Sequence, residues 1–476
     1  MNSSDYLAQD AVGLASLIAA REVSATEVLE AALERTAAVN PKLNAVTRLL
    51  ADQAREAART PPPAGDKGPL WGAPYLLKDL GAQMAGTTTN AGSRLMSETR
   101  ADADSAIVTA YRRGGLIIFG KTNTPELGLE PVTEPELFGP TLNPWDLERT
   151  AGGSSGGAAA AVAAGMVPAA HASDGGGSIR IPAACCGLFG LKPSRGRVSF
   201  APIDEGWGGF SIQHAVTRSV RDSAALLDMV SKPQPGDPYW LEPPATPFLD
   251  EVGKDPGSLR IAFTTAALAS ESLEPECAAA VVETARLCES LGHRVEEASL
   301  PGDMAAMVDA AGAVVAASVA AALDAEAARR RAPIAETELE AATWALYQRG
   351  LTIGGSPYIQ ALRAAHAFGR IVATFFERYD VLLLSTLGSP PIRIGALRAG
   401  GVNDYASRLF AFMPNTQAFN LTGQPAMSVP LAWSGGGLPL GLQFVGRPAG
   451  EATLFRLAGQ LEKARPWAGR RPPLFG

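Results

Sequence analysis

Residues 151–195 read AGGSSGGAAAAVAAGMVPAAHASDGGGSIRIPAACCGLFGLKPSR. Two serines sit in separate glycine clusters. Ser154 lies between Gly152-Gly153 and Ser155-Gly156-Gly157, and Ser178 closes the run Asp174-Gly175-Gly176-Gly177 before Ile179-Arg180. Glycine permits positive φ and close backbone approach at an entropic cost that structure alone rarely justifies. A hydroxyl framed by such a run has the form of a nucleophile surrounded by exposed backbone N–H donors, the equipment of acyl transfer. One cluster alone reads as a tight loop with a solvated serine. Two, joined by a short alanine-rich segment, read as a site.

Upstream, Gly72-Ala73-Pro74-Tyr75-Leu76-Leu77-Lys78-Asp79 places a lysine on a short apolar strand. With GGSSGG, the following DGGGSIRIPAACCGLFGLKPSRGR and the serine spacing of 178 − 154 = 24, the chain resembles the amidase signature family. The likeness runs from the helical start through Gly120-Lys121-Thr122-Asn123 to Gly423-Gln424-Pro425-Ala426, nearly the whole chain. It implies an α/β fold, a single large domain over residues 1–476 with an N-terminal helical region (1–62) and the signature core (151–195). It also implies a Ser–Ser–Lys triad, in which Ser154, preceded by a cis peptide, bridges the nucleophile Ser178 to the base Lys78.

For Lys78 to act as a base, a reference pKa near ~10.4 must fall by roughly 3 units, or about 4 kcal/mol. Burial among Pro74, Tyr75, Leu76, Leu77 and Leu80 supplies that shift by penalising the ammonium. The backbone N–H groups of Gly175, Gly176, Gly177 and Ser178 are the expected oxyanion hole, where one lost donor costs on the order of 100- to 1000-fold in rate. Asp174 and Arg180 flank this loop and are expected to pair and hold its shape. Ser155 is expected to support the Ser154–Lys78 hydrogen bonds.

Within the family, PYLLKDL, GKTNTPELG, TEPELFG, NPW, SVRDSAALLD, NLTGQPAMS and PWAGRRP resemble the members that open the cyclic dimer of 6-aminohexanoate. That dimer, or a related linear or aryl amide, is the implied substrate. Leu129 stands where those members carry a substrate-contacting Asn, which marks it as a substrate-binding position. The reaction implied is amide hydrolysis through an acyl-enzyme, with no metal or organic cofactor. The glutaminase subunit of the tRNA-dependent amidotransferase belongs to the same family, but no glutamine pocket is assignable here.

Other motifs compete. Residues 115–122 match GxxxxGK[ST], yet the supposed loop is Leu-Ile-Ile-Phe, itself a strand, so nucleotide binding is rejected. Gly152-Gly153-Ser154-Ser155-Gly156 matches the GxSxG elbow of α/β-hydrolases, but residues 143–150 are polar and turn-like where a hydrophobic strand is required. That alternative, an esterase using Ser154, would need one of His171, His214, His293 or His366. Each reads as structural, and His293 as a surface cap. There is no HExxH. A non-catalytic binding scaffold would leave the strand-borne lysine and two glycine-framed serines without a purpose.

Bulk properties agree with an ordinary globular enzyme. The 476 residues are 46% hydrophobic and 19% charged, with net charge −7, which disfavours a nucleic-acid surface. Arg329-Arg330-Arg331 reads as a solvated helix end. The first residues read as helix rather than signal peptide, and no unbroken apolar run reaches membrane-spanning length. Cys277 and Cys288 fall on one helix, where no disulfide closes, and Cys185-Cys186 read as core thiols. The expected setting is a reducing cytoplasm. The expected partner is a small-molecule amide, without nucleic acid or membrane, and the expected assembly a homodimer.

Along the chain, Ser24-Ala25-Thr26-Glu27 has the form of a capping box before a helix ending at Asn40-Pro41. Residues 60–68 and 231–256 read as connections. Helices are expected over 103–113, 275–291, 305–332 and 451–463, and one begins with Ser356 as N-cap and Pro357 as first residue. Strands are expected over 75–80, 116–119, 259–264, 381–385, 426–430 and 442–445. This alternation predicts a mixed, mostly parallel central sheet covered by helices.

Overall fold

Apolar runs too short for helices, each set between helical segments, become the strands of one sheet. The computed structural model describes residues 1–60, 68–203, 205–400 and 404–475. The strands are β1 (Val46–Leu49), β2 (Pro74–Lys78), β3 (Ile117–Thr122), β4 (Leu142–Asn143), β5 (Asp146–Thr150), β6 (Ala169–Asp174), β7 (Phe189–Lys192), β8 (Ile212–Thr217), β9 (Arg260–Phe263), β10 (Arg294–Glu297), β11 (Val381–Ser385), β12 (Ala426–Trp433) and β13 (Pro439–Gly446). All except β4 and β5 join an 11-stranded sheet in the order β1-β3-β2-β6-β8-β7-β12-β13-β11-β9-β10.

The sheet is mixed and helix-covered, as expected, and it carries a single α/β domain. Its parallel pairs are β2 with β3 and β6 on one wing and β9 with β10 and β11 on the other. The strands between them pair antiparallel, as does β1 with β3, so the balance is more even than a mostly parallel sheet. The central strands β2, β6, β7, β8 and β11 are buried almost throughout, which explains their near-continuous apolar sequences. The alanine-rich helix Gly156–Ala163 is also wholly buried, its small side chains letting it lie close to the sheet.

The capping box forms: Ser24 Oγ accepts from Glu27 N at 3.2 Å while Ser24 N donates to Glu27 Oε2 at 2.8 Å. That helix, Ala25–Leu43, nevertheless runs past Asn40-Pro41. Pro41 lies in the last turn, and the chain stops only at Asn44 (φ 51°), where Asn40 Oδ1 accepts the amides of Ala45 and Val46. Gly354, not Ser356, is the N-cap of helix Gly355–Arg378. Ser356 and Pro357 fall inside its first turn, where a missing N–H breaks no bond. The turn-like residues 143–150 fold into the two-stranded ribbon β4–β5, held by Asn143 Nδ2 on Thr150 O (3.0 Å) and Cys185 O (2.8 Å). Within the expected connection 60–68, residues 61–67 lie outside the described residues.

Helix Met304–Arg330 is by length and composition apolar enough to cross a membrane, although Asp309 and Asp324 interrupt its apolar run. In the fold it packs against helices Ala341–Leu351 and Gly355–Arg378 and is partly buried. The four cysteines are free and buried, Cys277 and Cys288 on helix Pro275–Ser290.

Candidate active site

Parallel strands with both faces covered leave their carboxyl ends as the place where a ligand can approach backbone and side chains together. β2 and β6 are neighbours, and their carboxyl ends bring Lys78 beside Ser173 and Asp174. Lys78 is fully buried; its Nζ donates to Ser154 Oγ at 2.7 Å and to Ser173 Oγ at 2.9 Å. Burial pushes its ammonium down to about 7, against the opposing pull of the Asp174 carboxylate.

Ser154 is held from its backbone. The Gly153–Ser154 peptide is cis, and the chain then enters helix Gly156–Ala163. Among the described residues the Ser155 hydroxyl makes no hydrogen bond to Lys78 or Ser154. Its Oγ donates to Ser173 O at 3.2 Å and accepts from Ser173 N at 3.3 Å, so it braces the strand end that carries the second hydroxyl around Lys78. Ser173 was not singled out in the sequence. The available signal was a hydroxyl at the last but one position of an apolar strand, two residues before the first glycine of the run.

The glycine loop is built on Asp174 and Arg180. Both are fully buried, with Arg180 Nε on Asp174 Oδ2 and Nη2 on Oδ1, each at 2.9 Å. Arg180 also donates to Thr416 O, Gln443 Oε1 and Asn420 Oδ1, and Asn420 Nδ2 returns to Asp174. Burial by itself would raise the Asp174 carboxyl, but the Arg180 guanidinium more than offsets it and holds Asp174 below the ordinary carboxylate range. Asn420, Thr416 and Gln443 come from distant segments that local sequence cannot connect to residue 180.

Asp174 also takes the Gly177 amide (Oδ1, 2.7 Å) and the Ile179 amide (Oδ2, 3.1 Å). The Gly177 N–H, one of the four expected oxyanion donors, is therefore turned inward. Gly176 and Ser178 line a cleft of about 420 Å³, and among the described residues no hydrogen-bond partner is seen for the Ser178 hydroxyl. Ser154 thus meets Lys78 directly, whereas Ser178 faces the open space beside them.

Leu129 lines the same cleft, with Pro131, Ile181, Trp207, Val315, Leu346, Leu409 and Met413 as further apolar walls. Its floor and one side come from the signature core. Further walls come from residues 126–131, from Trp207 and Met413, and from helices Met304–Arg330, Ala341–Leu351 and Tyr405–Phe412. Three of the acids within it, Glu126, Glu130 and Glu340, are occupied. Glu126 accepts from Ser93 Oγ and Glu340 N, and Arg398 binds both Glu130 and Glu340.

None of the histidines joins the serines. His171 Nε2 lies 3.0 Å from Gln213 Oε1, and burial, then Lys78, pushes its ring down to about 3. His214 meets Ser223, and His366 is exposed. His293, expected as a surface cap, is buried: its Nδ1 accepts from Leu259 N and its Nε2 meets Gln460, tying β9 to helix Glu451–Ala464. The rejected phosphate loop is indeed β3, with Lys121 Nζ committed to Thr88 O, Thr89 Oγ1 and Asp79.

The Amidase family model matches residues 27–455. The chain is 37% identical to 6-aminohexanoate-cyclic-dimer hydrolase of Paenarthrobacter ureafaciens, covering 98% of this chain and 97% of that one. It is 39% identical to the putative amidase AmiB2 of Mycobacterium tuberculosis, covering 99% of each. Among solved structures, a 6-aminohexanoate cyclic dimer hydrolase complexed with substrate superposes with a TM-score of 0.93 at 36% identity, covering 99% of this chain and 100% of that one. A bacterial aryl acylamidase follows at 0.87 and 28%, covering 97% and 99%. With residues 27–455 matched by the family model and 98–99% of the chain aligned to relatives at 37–39% identity, the protein belongs to the amidase signature family and is an amidase.

Proposed function

We propose that the chain hydrolyses carboxamides through an acyl-enzyme on Ser178, with Ser154 and Lys78 as its proton relay. The observation that carries this reading is the 2.7 Å bond between a fully buried Lys78 and Ser154. A lysine with a pKa near 7 is neutral in a large fraction of molecules at physiological pH and takes the proton passed from Ser178 through Ser154. Ser178 attacks the amide carbon. The amides of Gly175, Gly176 and Ser178 take the oxyanion, while Gly177 keeps the loop closed on Asp174. The protonated relay then delivers the proton to the leaving amine, and water releases the acyl group.

The substrate reading rests on the apolar walls around Leu129 and on the relatives that open the cyclic dimer of 6-aminohexanoate or cleave aryl amides. An amide with apolar arms, cyclic, linear or aryl, fits a cleft of this size. Four unpaired thiols support a reducing cytoplasm as the compartment.

The test is turnover of the cyclic 6-aminohexanoate dimer, a simple anilide and glutamine by wild type, Lys78→Ala and His171→Ala. Loss of turnover in Lys78→Ala with retention in His171→Ala supports the relay. The reverse pattern restores the histidine-dependent elbow, and labelling of Ser154 instead of Ser178 by a serine-directed probe would do the same.

A further inference from the structure

Two charged side chains in the cleft have no partner among the described residues: Asp309 on helix Met304–Arg330 and Arg349 on helix Ala341–Leu351. Both are exposed at the mouth, whereas Glu126, Glu130 and Glu340 deeper in the same cleft are bonded. The backbone at Arg349 is nevertheless closely packed. Gly350, the next residue, lies so close to the long helix that a Cβ there would fall 2.1 Å from Ala316 O. This fixes the backbone that carries Arg349.

The guanidinium lies across Gly312, where a Cβ would stand 3.4 Å from both Nη1 and Nη2. A side chain at 312 would crowd that seat. Asp309, three residues earlier on the same helix, lines the same cleft without forming an ion pair with Arg349. The result is a seated, uncommitted guanidinium facing the space that Ser178 shares. A planar fork of this kind recognises a carboxylate by two parallel N–H···O bonds.

We propose that Arg349 binds a carboxylate carried by the substrate away from the scissile amide, so that the preferred substrates are amides with an anionic arm. This rests on the amidase reading of the same cleft. The apolar walls take the methylene or aryl part of the arm, and its charged end reaches the mouth. Asp309 disfavours the same group by repulsion, which gives the two residues opposite effects on one ligand.

The test measures binding to Ser178→Ala protein by calorimetry, so that it does not depend on turnover. The probes are the monoanilide of glutaric acid, which carries a carboxylate, and valeranilide, its uncharged counterpart. Wild-type surroundings should favour the carboxylate probe. Arg349→Gln should lower the ratio of the two affinities by roughly twofold to fivefold, the scale of an exposed charge pair. Asp309→Asn should raise that ratio, and added salt should lower it only while Arg349 is present. An unchanged ratio in Arg349→Gln, or an equal loss for both probes, overturns the proposal. Failure of the wild-type enzyme to cleave either anilide would count against the amidase reading, while the binding ratio still decides the role of Arg349.

Discussion

Lys78 and Lys192 are both buried and both pushed down to about 7, yet only Lys78 reaches a serine hydroxyl. Lys192, depressed by burial and then by Arg180, donates to Pro193 O instead. A depressed pKa therefore does not single out the base in this protein. The geometry does, because a neutral amine can serve only a proton that it touches.

Activity should rise with pH through about 7, since the protonated Lys78 cannot accept a proton. The stability effect has the same direction. Folding lowers this pKa from 10.5, so the unfolded chain binds more protons between about 7 and 10.5, and stability rises with pH across that window. The cost of burying Lys78 is fully present below about pH 7. Lys78→Met should therefore abolish turnover and stabilise the fold more at pH 6 than at pH 10, as read by urea unfolding at both values. A kcat/KM profile that stays flat from pH 5 to 9 would count against Lys78 as the base.

Arg180→Ala should be the most damaging substitution outside the relay. It leaves Asp174, fully buried and already deprived of water, as an uncompensated carboxylate, and such losses cost about 3–5 kcal/mol. It also frees the carboxylate that gathers the Gly177 and Ile179 amides. Arg180→Lys restores the charge without the fork that serves Asp174, Asn420, Thr416 and Gln443 together, so it should recover only part of the loss. Chemical denaturation of the three proteins checks the order, and an Arg180→Ala variant of wild-type stability would remove the pair as the frame of the loop.

The parts of this design that are local were legible in the sequence. Lys78 at the end of an apolar strand, Ser154 and Ser178 in glycine, and the Asp174–Arg180 pair need only a few neighbouring residues each, and the strands expected at 381–385 and 426–430 announce themselves by composition, the second running on to Trp433 in the fold. What was not legible depends on pairing over long distances. Ser173 matters because β6 happens to lie beside β2, and Arg180 finds its further partners some 240 positions later in the chain. The inward turn of the Gly177 amide follows from where Asp174 places its carboxylate, which spacing alone does not give.

Gly177→Ala should separate the shape of the loop from its chemistry. Gly177 sits at φ 136°, and a Cβ there would fall 2.4 Å from Thr416 Oγ1 and 2.6 Å from Ile181 Cδ1. Backbone strain and crowding together are expected to cost about 2–3 kcal/mol. Because Ser178 is the next residue, kcat should fall by at least tenfold even where the variant remains folded. Thermal unfolding beside steady-state kinetics checks both, and a variant with full kcat would show that the loop tolerates a side chain there.

Arg398 ties together the walls of the cleft, and its loss should be felt in substrate affinity. Its Nε lies 3.2 Å from both oxygens of Glu130 and its Nη2 lies 2.7 Å from Glu340 Oε2, while Tyr405 also donates to Glu130. Glu340 belongs to the segment leading into helix Ala341–Leu351, and its own amide reaches Glu126 Oε2 on the opposite wall at 2.7 Å. Arg398→Ala leaves two nearly buried carboxylates facing each other, and their repulsion pushes those walls apart. The stability loss is roughly 2–3 kcal/mol once the partial exposure of Arg398 is allowed for. KM should rise more than kcat falls, because the clamp's carboxylates line the cleft whereas Lys78 makes its hydrogen bonds to Ser154 and Ser173. Adding Glu340→Gln to Arg398→Ala removes one of the opposed charges and should return part of the lost affinity. If KM stays at the wild-type value while the melting temperature drops, the clamp serves the fold alone.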